Sequence, residues 1–356
     1  MKRLLPFSLM LALTACVAPA PAPESSRPDS VQPPATQNGV SVAAHPAAAA
    51  AGAEILDKGG NAADAAVAAG FAIAVTESTM NSIGGRSQII VRTPSGEFQI
   101  FDGMTEIPAG YTEPAEPVAD GYGVIATPGV VASLASLHEA YGRLPWQDLL
   151  QPAIRLAEQG FVMLPGEAAR QASALEKIQD NPGFQQNFLP GGQSPVAGEV
   201  FRQPVLATTL KRIAAEGATD FYRGETAAAI ARDMAANGGF VTLEDLAAYK
   251  TLPGRYVTTD YRGYQIHSMA APGGGGLVVK TLNILENLPL ADFSDAAWAL
   301  AVNQALALAI NTMNDDYPET DLERVMSKEW ARKAAAGIHI PALANRAAQK
   351  DVTGSA

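Results

Sequence analysis

Apolar and small residues recur at helical spacing in the segment HPAAAAAGAEILDKGGNAADAAVAAGFAIAV, which spans His45–Val75. The positions near this spacing are Ala53, Leu56, Ala65, Ala69 and Ile73. The pattern breaks at Gly59-Gly60-Asn61, where glycine and asparagine tolerate the left-handed backbone that ends a helix and asparagine can also cap the next one. The pattern therefore predicts two closely packed helices joined at this break.

A β-branched run follows at Ser87–Arg92 and predicts a strand. Ser95-Gly96 predicts a turn, and Phe98–Phe101 predicts the returning strand of a hairpin. Further along, we expect a strand at Gly123–Ala126. Thr127-Pro128-Gly129 should form a turn after this strand, followed by a helix that continues to about His138.

The remaining pattern contains more helices than strands and no internal repeat. Pro145 precedes a helix, since proline is tolerated at the start of one. Thr242–Asp245 has the pattern of a capping box. Tyr256–Asp260 and Tyr264–Met269 read as paired strands, and an apolar helix is expected from about Leu277.

Composition limits the classes of function. The chain has 356 residues, of which 47% are hydrophobic, so it can bury a substantial core, and its length suggests one large domain or two small ones. Its net charge of −11 argues against nucleic acid as a partner. With four histidines and one cysteine at unclustered positions, we expect neither a metal site nor a cofactor. A single cysteine also excludes disulfide bonds within the chain.

The N-terminus has the features of an export signal. Lys2 and Arg3 precede an apolar core, Leu4–Leu13, that is too short to span a bilayer. The sequence Leu-Thr-Ala-Cys ending at Cys16 is similar to a bacterial lipobox, in which the cysteine is lipidated. The alternative is an ordinary signal peptide with an incidental cysteine. We expect residues 1–16 to be a lipoprotein signal, and the anchored protein to face the periplasm from the outer membrane of a bacterial envelope.

Residues 17–38 are rich in proline, alanine and serine, a composition that cannot bury a core and is typical of an extended tether. We therefore expect the folded domain to cover residues 39–345, with residues 346–356 as a C-terminal tail.

A glycine loop precedes the helix expected at Leu277. Its members are Gly273, Gly274, Gly275 and Gly276. Backbone N–H groups at a helix start can bind an anion, but the loop lacks the Lys-Ser/Thr ending of a phosphate loop and the Rossmann spacing. A packing loop or a loop near a substrate is the simpler interpretation.

The segment His45–Val75 closely resembles the N-terminal helices of the γ-glutamyltransferase family, whose members are N-terminal-nucleophile hydrolases. Further segments match the family in the same order. They are Gly123–Val130, Tyr141-Gly142, Pro145–Ala153, Asp220–Gly224, Asn237–Tyr249, Tyr261–Tyr264 and Met269–Gly276. The resemblance covers residues 43 to about 290 and implies an α/β (α+β) fold, the αββα sandwich, of which this chain is similar to the helix-rich large subunit.

The resemblance also implies a mechanism. In this family the precursor cuts itself before an internal threonine, whose hydroxyl attacks a γ-glutamyl amide while its free amine acts as the base. That threonine and an oxyanion-binding glycine pair belong to a small subunit. An arginine of the large subunit binds the α-carboxylate of the substrate. The loops expected near the active site hold Gly84 and Gly85 and the four glycines from Gly273 to Gly276.

The sequence departs from the family at the carboxylate-binding position. Phe101–Pro108 aligns with the family segment Asp-x-Arg-Glu-x-Ala-Pro, and Met104 stands in place of its arginine. Losing such a charge-assisted contact would weaken substrate binding. Arg86 is close in sequence and could substitute, although it stands where the family has glycine.

Two further departures concern the C-terminal part. The sequence ends at Ala356, near where the family's processing site would begin, and Thr353 lacks the context of a nucleophile. We therefore expect no catalytic residue in this chain. On a late helix, Ala309–Thr312 lacks the Ala-Asp-Arg stretch of the family, which puts packing against a partner subunit in doubt.

Three functions remain open. In the first, the chain is an inactive γ-glutamyltransferase homologue anchored to the envelope. In the second, it is the large subunit of a split enzyme, either a γ-glutamyltransferase or a related cephalosporin acylase. In the third, it is a periplasmic binding or assembly lipoprotein. A lone large subunit would expose a sheet edge and an apolar face, so we expect a separate small subunit or another protein to cover them.

Overall fold

The computed structural model describes residues 39–116, 118–271, 273–316 and 322–340. Its α-helices are α1 Pro46–Asp57, α2 Ala62–Thr76, α3 Val130–Tyr141, α4 Trp146–Gln159, α5 Pro165–Ile178, α6 Pro182–Phe188, α7 Pro204–Glu216, α8 Ala218–Arg223, α9 Glu225–Ala236, α10 Leu243–Ala248, α11 Gly275–Leu285, α12 Asp295–Asp316, α13 Leu322–Val325 and α14 Lys328–Ala335. Its strands are β1 Ser87–Arg92, β2 Phe98–Gly103, β3 Phe161–Val162, β4 Val200–Phe201, β5 Leu252–Pro253, β6 Tyr256–Tyr261 and β7 Tyr264–Met269.

The helix pair α1–α2 forms as predicted, with the break at the expected place. The Asn61 side chain accepts hydrogen bonds from the N–H groups of Ala63 and Asp64, at 2.9 and 3.0 Å, and Asp64 reciprocates by accepting from the Asn61 N–H at 2.9 Å. Asp64 is fully buried, and it also accepts from the Arg143 N–H. This capping box therefore starts α2 and ties the junction to the loop between α3 and α4.

The main hydrophobic core lies around α2, because this helix is apolar on almost every side. Phe71 is completely buried and packs edge-on against Trp146 of α4, with ring centroids 5.6 Å apart. Helices α1, α3, α4 and α7 close the core around it.

Strands β1 and β2 form the predicted antiparallel hairpin, with a register that runs from Arg92 paired with Phe98 to Ser87 paired with Gly103. The short strand β5 extends this sheet beside β2. One sheet face packs on α3 of the core. No strand among the described residues pairs with the outer edge of β1, which agrees with the expectation of an open edge.

The strand predicted at Gly123–Ala126 is wrong. Tyr122–Val124 forms a short 3₁₀ turn, introduced by Gly121 at φ +90°. The Tyr122 hydroxyl donates a hydrogen bond to Asp233 at 3.0 Å and so holds this turn to α9. The prediction relied on the β-branched residues of this segment, but the described part of the chain contains no strand that pairs with them. The neighbouring Thr127 makes an isolated β-bridge with Glu106.

A second, smaller hydrophobic core lies between α11, α12 and α14. The predicted hairpin β6–β7 packs on α11, and its turn places Arg262 and Gly263 at φ +50° and +85°. Asn283 of α11 accepts from Thr259 of β6 at 2.7 Å and donates to the Met326 carbonyl at 2.8 Å. These bonds link the hairpin to the helices behind it.

Within the described ranges, no helix is long and apolar enough to cross a membrane. Cys16, the tether and Thr353 lie outside the described residues.

Candidate functional site

The end of the β1–β2 hairpin brings the first two predicted site positions together. The last residue pair of the two strands is Ser87 with Gly103. Arg86 precedes Ser87 in the sequence, and Met104 follows Gly103. Arg86, which could substitute for the family arginine, and Met104, which stands at the position of that arginine, therefore each lie one residue beyond the last strand pair of the hairpin.

Successive side chains at this end of the hairpin point to opposite faces of the sheet. Ser87 points toward α3, where its Oγ lies 2.5 Å from that of Ser133. Gln88 and Asp102 occupy the opposite face and are joined by a hydrogen bond of 3.5 Å from Nε2 to Oδ2. Arg86, one residue before Ser87, shares the face of Gln88 and is exposed. In the described part of the chain, its guanidinium has no hydrogen-bond or ion-pair partner.

Gly85 joins this hairpin end to the start of α3. Its carbonyl accepts hydrogen bonds from the N–H groups of Gly129 and Val130, at 2.9 and 3.3 Å. Gly129 must be glycine, because a Cβ there would lie 2.2 Å from the Gly103 carbonyl oxygen. Gly84 is exposed at the turn before Gly85, and its N–H donates to the Ser82 hydroxyl at 3.1 Å. Close backbone approach thus explains the glycine at position 129.

The glycine loop before α11 reaches the same place. A Cβ on Gly273 would lie 2.3 Å from Oε1 of Gln88, so the loop is in contact with the residue that bonds Asp102. Gly275 is buried against the backbone of Met269, while nothing lies within 4 Å of a Cβ on Gly274. Gly276 comes closest to the Met326 sulfur, at 3.7 Å, and is therefore turned toward the smaller core. The structure thus places Gly85, Met104 and Gly273 near the Ser87–Gly103 end of the hairpin, through contacts with Gly129, Tyr249 and Gln88 respectively.

Two tyrosines that the sequence analysis missed hold this site in place. The Tyr249 hydroxyl donates to the Met104 carbonyl at 2.7 Å. Its ring stacks on that of Tyr222, with centroids 5.5 Å apart and an interplanar angle of 11°. The Tyr222 hydroxyl donates to the Pro128 carbonyl at 2.9 Å and accepts from the Ala132 N–H at 3.1 Å. The pair joins the end of β2 to the turn before α3.

Burial raises the pKa of both tyrosine hydroxyls, and the negative charges of Glu106 and Asp102 raise the pKa of Tyr249 further. Tyr249 therefore stays protonated at any physiological pH and remains the donor to Met104. No hydrophobic pattern marks these positions, because a tyrosine after a short helix is also a common surface residue.

Replacing Tyr249 by phenylalanine should lower the free energy of unfolding by about 1–2 kcal/mol, because the Met104 carbonyl loses its donor. Urea denaturation of the two proteins measures this difference. Exposed Tyr264→Phe serves as the control and should leave the stability unchanged. Equal midpoints for all three proteins would contradict the role given to Tyr249.

The charged groups at this hairpin end suit the recognition of a small charged molecule. Arg86 supplies a positive charge and Asp102 a negative one, at the same end of the hairpin and beside the glycine loop. Such a pair of charges suits the carboxylate and ammonium groups of an amino acid. The Ser87 and Ser133 hydroxyls bond to each other and, in the described ranges, neither contacts a histidine, lysine or carboxylate that could act as a base.

Two other predicted features can be placed. On α12, Ala309 is buried while Ile310 is 39% exposed and Asn311 is exposed, so this helix presents an uncharged surface where the family has a charged pair. Within the described residues, no group of three or more His, Cys, Asp or Glu side chains is arranged to hold a metal ion.

Comparison with known proteins identifies the scaffold. A family model described as Gamma-glutamyltranspeptidase matches residues 48–354. The glutathione hydrolase proenzyme of Escherichia coli (strain K12) is 32% identical over 351 aligned residues, which cover 92% of this chain and 60% of that protein. The chain thus spans about 60% of the length of the curated relatives it matches.

Solved structures agree. The crystal structure of Helicobacter pylori γ-glutamyltranspeptidase has a TM-score of 0.80 and 31% identity, covering 86% of this chain and 93% of that chain. Cephalosporin acylase from Bacillus halodurans has a TM-score of 0.79 and 30% identity, covering 92% of this chain and 63% of that chain. The predicted α+β fold of the N-terminal-nucleophile type is confirmed. The chain belongs to the γ-glutamyltranspeptidase family.

Proposed function

We propose that this chain corresponds to the family's large subunit and binds a γ-glutamyl amide substrate. By itself, it does not cleave the amide bond. The observation that carries the proposal is that Arg86 and Met104 each lie one residue beyond the strand pair Ser87–Gly103, at the end of the hairpin that carries Asp102. Arg86 binds the α-carboxylate that the family arginine would bind, and Asp102 faces the α-ammonium group. Both contacts are charge-assisted hydrogen bonds.

Cleavage then needs a nucleophile from a complementary polypeptide. In the family this is the N-terminal threonine of the small subunit, whose hydroxyl attacks the amide carbonyl while its α-amine takes the hydroxyl proton and passes it to the departing amine. The γ-glutamyl ester formed on the threonine is then transferred to water or to an acceptor amine. Six of the relatives bear the name proenzyme, which supports a second part of this kind. The open edge of β1 offers the backbone groups with which a strand of that part can pair.

The test uses L-γ-glutamyl-4-nitroanilide, since binding can be titrated by calorimetry and cleavage followed by colour. The chain should bind this compound without releasing nitroaniline above background. Arg86→Gln should weaken binding by about tenfold, the effect of losing a hydrogen bond to a charged group. Arg92→Gln, an exposed arginine at the far end of β1, is the matched control and should bind as the unchanged chain does.

Two results would count against this proposal. Turnover by the purified chain would show that it carries its own nucleophile. Unchanged affinity in Arg86→Gln would remove Arg86 from the site and leave the family assignment intact.

A cephalosporin-acylase-like activity is the second candidate, favoured by the acylase structure at a TM-score of 0.79 and by the apolar Met104 in place of a charged residue. Titrating the same chain with a cephalosporin separates the two candidates. Tighter binding of the cephalosporin, unaffected by Arg86→Gln, would favour the acylase.

The location of the protein is part of the same proposal. We infer from the lipobox-like sequence that Cys16 is lipidated and that the chain is anchored in the bacterial outer membrane, facing the periplasm. Cys16→Ser should move the protein from the membrane fraction to the soluble one. Retention in the membrane fraction would exclude the lipid anchor, and a non-catalytic binding lipoprotein would lose its support as well.

A further inference from the structure

A cleft of about 460 Å³ opens along β2, centred on Phe98–Ile100 and away from the site described above. Phe98 is six residues from Met104, which corresponds to about 20 Å along a strand. The cleft has the size of a small-ligand pocket. Its walls are β2, the segment around β5 and one face of α3.

The α3 wall carries the only charged side chain of the cleft lining. Ser136, Glu139 and Ala140 are three and four residues apart, so they lie on the same face of the helix. The described residues supply no ion-pair partner for the Glu139 carboxylate. The Tyr141 hydroxyl donates a hydrogen bond to the Gln99 side chain and so holds this wall against β2.

The floor of the cleft contains an unsatisfied polar atom. The Thr251 hydroxyl is buried and has no hydrogen-bond partner among the described residues. A buried hydroxyl without a partner is unusual in a folded protein and indicates a missing donor or acceptor. Thr251 lines the cleft with other atoms, while its hydroxyl oxygen is closed off from solvent.

Two aromatic rings form the remaining wall. Phe98 and Tyr256 lie with centroids 5.8 Å apart, and His267 stacks on the outer face of Phe98 at 4.0 Å. Tyr256 is 45% exposed, so its ring remains available to a ligand. Aromatic faces attract cations within about 6 Å of the ring centroid. None of the residues that line the cleft is a lysine, arginine or histidine, and Lys250 and Arg255 flank the β5 segment without lining it.

We propose that this cleft binds an organic ammonium ion attached to an aromatic or branched apolar group. The ammonium group pairs with the exposed Glu139 carboxylate, and the apolar group packs on Phe98 and Tyr256. The net charge of −11 favours the approach of such a cation. This site is independent of the proposed γ-glutamyl chemistry.

The experiment titrates the whole chain, labelled with ¹⁵N, with benzylammonium at pH 7, and with benzyl alcohol as the uncharged analogue. We expect amide shifts confined to Phe98–Phe101, to Ser136–Ala140 of α3, and to the segment from Thr251 to Tyr256. Glu139→Gln should weaken benzylammonium binding at least fivefold without changing the response to benzyl alcohol. Because Glu139 is exposed, this variant should fold normally. Glu176→Gln, an exposed carboxylate on α5, is the matched control and should bind as the unchanged chain does.

Raising the salt concentration should weaken benzylammonium binding and leave benzyl alcohol unaffected, since the contact with Glu139 is partly exposed. The proposal is overturned by equal affinity for the two compounds, by unchanged affinity in Glu139→Gln, or by shifts that lie outside the cleft.

Discussion

Replacing Gly275 by alanine is expected to lower the free energy of unfolding by about 3 kcal/mol or more, because the new methyl group would overlap backbone rather than a movable side chain. The Cβ would lie 2.0 Å from the Met269 carbonyl oxygen and 2.8 Å from its carbon. Met269 ends β7 and is held by its pairing with Tyr256. Relief therefore requires the start of α11 to separate from the strand. Urea denaturation followed by circular dichroism measures the loss.

The neighbouring glycine is a matched control. Gly274 has an ordinary backbone conformation at φ −76°, and no atom lies within 4 Å of a Cβ there. Gly274→Ala should cost below about 1 kcal/mol, the penalty for replacing glycine by alanine at a helix N-cap. Similar losses in the two variants would show that the glycines are needed for flexibility and not for this contact.

Replacing Asp220 by alanine should cost about 3–5 kcal/mol, the range found when one partner of a buried ion pair is removed. Asp220 is completely buried; it accepts hydrogen bonds from both the N–H and the hydroxyl of Thr226 and lies 3.7 Å from Nε of Arg212. Without it, the N-terminus of α9 loses an acceptor and Arg212 loses its buried counter-charge. Thermal and urea denaturation should both report the loss.

Glu225 provides the comparison, since it pairs with the same arginine at 4.0 Å but is 75% exposed. Glu225→Ala should change the free energy of unfolding by less than about 0.5 kcal/mol. If both substitutions cost little, the network around Arg212 is not a structural requirement.

Local patterns predicted much of this fold. The capping box at Asn61, the hairpin from Tyr256 to Met269 and the helix after Thr242 depend on residues within a few positions of one another. The strand expected at Gly123–Ala126 failed because a strand needs a neighbour, and the sequence does not show that this segment lacks one. The local patterns likewise did not predict that the helices form two hydrophobic cores, since this depends on which helices pack together.

The candidate site was predictable in part. Met104 and the glycines were found by resemblance, and Arg86 was considered only for its closeness in sequence. The pairing of β1 with β2 brings Arg86 and Met104 to the same end of the hairpin. The turn predicted at Ser95-Gly96 joins these two strands and so already indicated this pairing. Tyr249 and Tyr222 come from distant segments, so their contacts with Met104 and Pro128 follow from tertiary packing alone.

The two separate cores have a consequence for how the chain comes apart. Trp146 packs in the larger core and Trp330 in the smaller one, so each indole reports on a different region. Regions of one domain open locally with different free energies, according to how much apolar surface each buries. Gly275 begins a helix of the smaller core, and Asp220 supports the larger. The fluorescence of Trp330 should therefore respond more strongly to the Gly275 substitution, and that of Trp146 to the Asp220 substitution.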